Sequence, residues 1–186
     1  MKKISVIIAI AFFNLIPGCD SPTESFVGAL QYYPLKIGNK WYYSNSQTDT
    51  SAYNYVTEIV SDTTISNKLY YKIVSNYVPQ SEYYYISYCH IEKSKLFIGN
   101  ISFYNDKLTF MENLKADFSL KVGDTLRTDE YKYITVTEKK EDIIKFHTKD
   151  GMIHYYSTFR KGVGLIESLT IGDVFHRSVL IKYELK

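Results

Sequence analysis

Residues 143–159, IIKFHTKDGMIHYYSTF, decide the fold. Two runs rich in Ile, Phe, Tyr and Thr flank Lys149-Asp150-Gly151, and such residues fit a pleated, half-buried surface. Asp-Gly suits the positive φ angles of a two-residue hairpin turn. With Asp150-Gly151 as that turn, Lys149 faces Met152, Thr148 faces Ile153 and His147 lies opposite His154. Alternation then sends Phe146 and Tyr155 to the other face of the sheet, toward a core.

The same grammar runs outward in both directions. Strand candidates separated by turn signals are Lys40–Ser46, Ala52–Ser61, Lys68–Tyr77, Glu82–Ile91, Lys95–Phe103, Thr125–Arg127, Tyr131–Lys139, Val163–Leu169 and Val174–Tyr183. A spacing of about ten residues is that of a meandering antiparallel sheet. The 19 Tyr and 10 Phe of the 186 residues add to this. Helical apolar periodicity is missing beyond the amino terminus, and Leu108–Phe118 (LTFMENLKADF) is the one place that reads as a short helix. The expectation is an all-β fold: an antiparallel meander forming a strongly twisted sheet or a partly closed, hemibarrel-like barrel, after an N-terminal signal helix.

That N-terminal segment opens with Met1-Lys2-Lys3, continues through an apolar run from Ile4 to Ile16 and closes on Ile16-Pro17-Gly18-Cys19. The run is too short to span a bilayer as a helix, which takes about 20 apolar residues. A charged start, a short apolar core and a small residue before the cut make a targeting segment. Gly18-Cys19 resembles the bacterial lipobox, which predicts cleavage before Cys19 and acylation of its thiol. Burial of acyl chains at about 0.8 kcal/mol per CH₂ would then hold the protein on a membrane. The expected organisation is a lipoprotein signal peptide over 1–18, a lipidated tether over 19–31 and a single β-rich domain over 32–186. The expected location is the bacterial cell envelope, membrane-anchored at the periplasmic face or the outer surface.

Charge and cysteine content narrow the function classes. Two of the 22 Lys and Arg residues lie in the leader, so the remaining bases equal the 20 acids. A nucleic-acid partner, which requires a basic surplus, is not expected. Acylation of Cys19 leaves Cys89 alone, without an intramolecular disulfide, and its place in YYYISYCHI predicts burial. Catalytic motifs such as G-x-S-x-G, H-E-x-x-H, a phosphate-binding loop or C-x-x-C are not found, and neither an enzyme nor a cofactor is expected.

Two short motifs echo each other. Leu35-Lys36-Ile37-Gly38-Asn39 recurs as Leu120-Lys121-Val122-Gly123-Asp124, each followed by a strand. Glycine supplies the permissive backbone and Asn or Asp caps the turn. The pair reads as one turn type used twice, with a duplicated half as the alternative. Trp41 is expected to plug one end of the sheet, and Gly162-Val163-Gly164 to form a bulge or tight bend.

YYPLKIGNKWYY (Tyr32–Tyr43), ISNKLYYKIV (Ile65–Val74), DFSLKVGDT (Asp117–Thr125) and KGVGLIES (Lys161–Ser168) follow in that order. In this the chain resembles a loosely defined group of uncharacterised exported proteins and lipoproteins of gram-negative bacteria. The resemblance implies a twisted antiparallel sheet or partly closed barrel, and it carries over no catalytic residue.

Two constellations could bind something. His147 and His154, if opposite each other, have Cβ atoms about 4.5–5.5 Å apart, close enough to share a Zn²⁺ or Cu²⁺ ion; a third ligand such as His176 or His90 would have to converge. The tyrosines, at Tyr32-Tyr33, Tyr42-Tyr43, Tyr53, Tyr55, Tyr70-Tyr71 and Tyr83-Tyr84-Tyr85, place alternate rings outward, where they could stack on sugar faces or grip a peptide. The expected function is a non-catalytic envelope binding module for a lipid, glycan or protein partner. The alternatives are a structural or assembly factor of the envelope and, remotely, a hydrolase with an unrecognised site.

Overall fold

The computed structural model describes residues 28–45, 54–78, 84–104 and 107–186. The signal segment, Cys19 and most of the tether lie outside the described residues. So do Tyr53, Tyr83 and one end each of the strand candidates Lys40–Ser46, Ala52–Ser61 and Glu82–Ile91. Described elements begin with a helical turn α1 (Ala29–Tyr32), followed by β1 (Lys40–Ser44), β2 (Tyr55–Ile65), β3 (Lys68–Tyr77), β4 (Tyr84–Glu92), β5 (Lys95–Tyr104) and β6 (Lys107–Asp117). Then come β7 (Thr125–Arg127), β8 (Lys132–Lys139), β9 (Ile143–Asp150), β10 (Ile153–Arg160), β11 (Gly164–Ile171) and β12 (His176–Glu184).

All twelve strands form one antiparallel sheet in the order β6-β5-β4-β3-β2-β1-β12-β11-β10-β9-β8-β7. The all-β meander is therefore the fold, and it is open: β6 and β7 are not hydrogen-bonded to each other. The two echo motifs have a structural meaning in this order. Gly38 and Gly123 both sit at φ 90°. In each motif the last residue closes a turn on the lysine three before it, Asn39 N to Lys36 O and Asp124 N to Lys121 O. In each, the glycine N–H donates to the second strand of the following run, Gly38 to Ile59 and Gly123 to Val136. One turn thus opens β1 to β6 and its copy opens β7 to β12. Two tandem meanders meet where β1 pairs with β12. The counterpart of that seam would be β7 against β6, and β7, only three residues long, does not make it.

The sheet curls so that its concave face closes over a core. Ile59, Leu96, Ile134, Val136, Ile144, Phe146 and Phe159 are buried there. Phe118, at the end of β6, stands edge-on to Phe146 at 5.4 Å and to Phe159 at 5.3 Å, which ties the two halves together. Trp41 is fully buried at the seam, and its indole N–H donates to Val163 O at 2.6 Å. Tyr33 stacks on the indole at 5.6 Å. Gly164 sits at φ 111°, and a Cβ there would lie 3.1 Å from the indole nitrogen. Gly162, at φ 74°, donates its N–H to Gln31 O.

Three details differ from the expectations. Leu108–Phe118 is not a helix but most of strand β6, paired with β5 over ten positions. The cause is tertiary: Phe110 lies over the backbone at Gly99, where a Cβ would sit 2.3 Å from the ring, and stands edge-on to Tyr70 at 5.1 Å. Packing of that half-buried ring against Gly99 and Tyr70 outweighs the helix-favouring Glu, Leu, Lys and Ala of the segment. The end of the tether belongs to the domain, because Ala29 is fully buried and Ala29 N reaches Lys93 O. The β9–β10 turn uses Gly151-Met152 rather than Asp150-Gly151, with Asp150 paired to Ile153. Gly151 alone takes positive φ, at 60°. A two-residue loop with a single glycine at its first position is the type II′ solution. Asp150 stays in the ladder, where its carboxylate lies 3.6 Å from Lys132 Nζ.

Candidate functional site

The concave face carries a cleft of about 290 Å³ beside the central seam. Its aromatic wall is a ladder across three strands. Tyr43 of β1 lies opposite Tyr55 of β2, which lies opposite Tyr77 of β3. Ring centroids are 6.1 Å apart in the first pair and 5.1 Å in the second, and Tyr85 of β4 extends the row 6.2 Å beyond Tyr77. Cross-strand aromatic pairs of this kind contribute roughly 0.2–1 kcal/mol each to the sheet. A bulge in the β1–β12 ladder between Tyr42 and Tyr43 sets this arrangement at the seam.

Hydroxyl and amide groups line the rest. Thr57 Oγ1 and Ser75 Oγ are 3.1 Å apart, Ser178 Oγ donates to Asn45 Oδ1 at 2.6 Å, and Tyr43 OH donates to Leu165 O at 2.9 Å. Ser87, Ser168 and His176 complete the polar lining, and Ile73, Ile98 and Leu165 its apolar part. Burial holds the Tyr43 phenol well above its ordinary pKa, with Tyr55 adding to the effect, so it is a neutral hydroxyl at all physiological pH. Among the described residues, no Asp, Glu, Lys or Arg contributes to this lining.

Of the ladder only Tyr43 comes from a tyrosine doublet, and Tyr77 was not among the candidate contact tyrosines. Outward rings were the expected contact surface, yet Tyr43, Tyr55 and Tyr77 all face the concave side. Of the outward rings, Tyr42 lies beneath the Lys182 ammonium at 4.9 Å. Tyr70 is buried on the opposite face, with its hydroxyl 3.1 Å from Glu112 Oε1. Burial, then the Glu112 hydrogen bond and charge, push the Tyr70 phenol up to about 12. His90 shares the same carboxylate at 2.5 Å and stacks on Phe97.

His147 and His154 do come together, by a different route from the one their spacing suggested. His147 is opposite Tyr156 and His154 opposite Lys149, a register two residues from the expected one. A shift of two keeps both imidazoles on one face, as diagonal neighbours. Their ring nitrogens approach to 2.8 Å, and His147 also stacks on Tyr156 at 4.6 Å. Burial, then the neighbouring His154 and Lys149, lower the His147 pKa from its usual value. Among the described residues no group of three or more His, Cys, Asp or Glu side chains converges in a way that could hold a metal ion. His176 lines the tyrosine cleft and His90 packs against Phe97. Cys89 is free and fully buried, and burial followed by the Glu112 charge pushes its thiol far above the usual value.

Gly38, Gly123 and Asp124 sit in the two opening turns, and Trp41, Gly162 and Gly164 at the seam. They shape the sheet around the cleft without lining it. No protein family, curated protein or solved structure matches the chain.

Proposed function

We propose that the chain is a non-catalytic binding module of the bacterial envelope, anchored through acylated Cys19, whose concave cleft receives a neutral, hydroxyl-rich ligand, a glycan segment. The observation that carries this reading is the composition of the lining. Tyrosine rings supply flat apolar area with a polar tip at low entropic cost, and serine, threonine and asparagine groups supply hydrogen bonds without charge. Sugars present the complementary surface, apolar C–H faces edged by hydroxyls. Thr57, Ser75 and Ser178 are already paired within the wall, but their hydroxyl oxygens keep lone pairs that a sugar hydroxyl can meet and an acyl chain cannot. The cleft falls at the small end of the roughly 300–1,000 Å³ typical of ligand pockets, which suits a short saccharide stretch.

A glycan array alongside a panel of immobilised lipids tests this reading. Retention on neutral glycans is expected; retention on lipids alone would overturn it. The anchor is tested by mass spectrometry of the mature terminus, with Cys19→Ala expected to accumulate unprocessed precursor.

An assembly role is the second reading, and the free edge favours it. Leu108 is 71% exposed, Ile101 is half exposed on the same face, and Met111 is about half exposed on the other. Apolar groups on an open strand edge invite pairing with another chain. Concentration-dependent association abolished by Leu108→Lys would support that role.

A further inference from the structure

A second cleft, of about 320 Å³, lies where the sheet fails to close, between β5–β6 on one side and β8–β10 on the other. Its chemistry is unlike that of the tyrosine cleft. Lys115 enters from β6 and Lys132 from β8, with Asn100, Asn113 and Thr148 around them.

Lys115 owes its position to an irregularity in the edge strand. Leu96 pairs with Ala116 and Phe97 with Leu114, so Lys115 is the extra residue of a bulge. Bulges re-aim a side chain, and they recur beside functional sites. Here the side chain turns into the slot, with its ammonium 5.4 Å from the centroid of the Tyr155 ring on β10. Among the described residues no carboxylate lies within ion-pair distance of it. Lys132 donates to Asn113 Oδ1 at 3.5 Å across the slot and has Asp150 at 3.6 Å. The slot therefore holds two ammonium groups against one carboxylate, and that carboxylate is nearly half exposed.

We propose that this slot is an oxyanion-binding site, in which Lys115 and Lys132 together hold a carboxylate, phosphate or sulfate group of a ligand while Asn100, Asn113 and Thr148 hydrogen-bond its surroundings. Burial, then repulsion from Lys132, lower the Lys115 pKa, a strain on the charged form that a bound anion relieves. A lysine turned inward on an edge strand also guards against edge-to-edge pairing. That role asks for one charge beside the edge; it does not ask for a second ammonium from the opposite half of the sheet. The site stands independently of the glycan reading of the neighbouring cleft, though both clefts share Ile98.

The test is an amide NMR titration of the full chain in detergent micelles with sodium acetate, glucuronate, phosphate and sulfate, against sodium chloride at equal ionic strength. Saturable shifts centred on Asn113, Lys115, Lys132 and Thr148 are expected, weakened about tenfold or more in Lys115→Met and again in Lys132→Met. Glucuronate binding more tightly than acetate identifies an acidic sugar as the source; phosphate or sulfate binding most tightly identifies an ester. Shifts matched by chloride, or affinities unchanged in both variants, overturn the site. Should Lys115→Met aggregate, as edge protection predicts, the wild-type and Lys132→Met titrations decide.

Discussion

Replacing Gly164 by alanine attacks the seam at its tightest point, and the structure fixes how much this should cost. At φ 111° the backbone occupies a region that L-residues avoid, for a penalty of about 1–3 kcal/mol. The added Cβ also meets the Trp41 indole nitrogen at 3.1 Å. That ring has little room to retreat, since its N–H is held by Val163 O at 2.6 Å and its face is covered by Tyr33. Displacing it weakens a buried hydrogen bond, worth about 1–3 kcal/mol once both groups are left unpaired. The sum, about 2–6 kcal/mol, is a large share of the ~5–15 kcal/mol that stabilises a typical domain. Gly123→Ala is the matched control. It shares a left-handed φ of 90°, but a Cβ there meets nothing within 4 Å, so only the backbone penalty applies. Equilibrium urea unfolding reads both variants through Trp41, the one tryptophan of the chain. The midpoint should fall for both and clearly further for Gly164→Ala. Equal shifts would show that the indole contact contributes nothing and refute the reasoning.

Asp117 accepts hydrogen bonds from Ser94 Oγ, Ser119 N and Ser119 Oγ. Burial raises its pKa, but the hydroxyls and the Ser119 amide outweigh it and leave the carboxyl below its usual range. A depressed folded pKa stabilises above the unfolded value near 3.9 and loses that contribution as pH falls through the folded one. Asp117→Ala should therefore cost about 2–3 kcal/mol at neutral pH, with the gap to wild type narrowing in acid urea melts. For His147 the sign is the same, though the cause is burial of a neutral imidazole: its folded pKa lies below the unfolded value near 6.5, so stability is undiminished above that pH and declines as pH drops through the window beneath it. Imidazole NMR titration of the wild type, and a flatter stability profile for His147→Phe, check this. Zinc titrated calorimetrically into wild type and His147→Ala should give indistinguishable heats if the stacked pair is structural. Native Cys89 should resist maleimide and react on unfolding, given its burial and raised pKa.

Strand periodicity was legible in the sequence because alternation is a local property, and most strands fall where Tyr, Ile, Val and Thr predict them. Long-range choices were not. β6 reads as helix because Glu112, Leu114, Lys115 and Ala116 favour one locally, and its strand state depends on Phe110 finding Gly99 in another strand. The His147–His154 register turned on which residue beside Gly151 entered the turn, and Asp150 instead pairs with Lys132 of β8. The repeated Gly38 and Gly123 turns were visible, and a duplicated half was the less favoured of their two readings; the strand order is what brings the tandem halves forward. The tyrosine cleft was least accessible. Asn45 and Ser178, which meet at 2.6 Å, come from opposite ends of the domain, and doublets such as Tyr42-Tyr43 do not say which ring faces inward. Lys115 gave no signal, since a bulge has no signature in one sequence.

The ladder of Tyr43, Tyr55 and Tyr77 is where the account of function is most exposed. Calorimetric titration of a neutral glycan retained by the wild type into Tyr55→Ala and Tyr77→Ala addresses it directly, provided circular dichroism shows both variants folded. Loss of about 1–3 kcal/mol of binding per removed ring is the predicted result, by analogy with aromatic stacking on other flat ligands. Undiminished affinity in both folded variants would place the ligand elsewhere and contradict the claim.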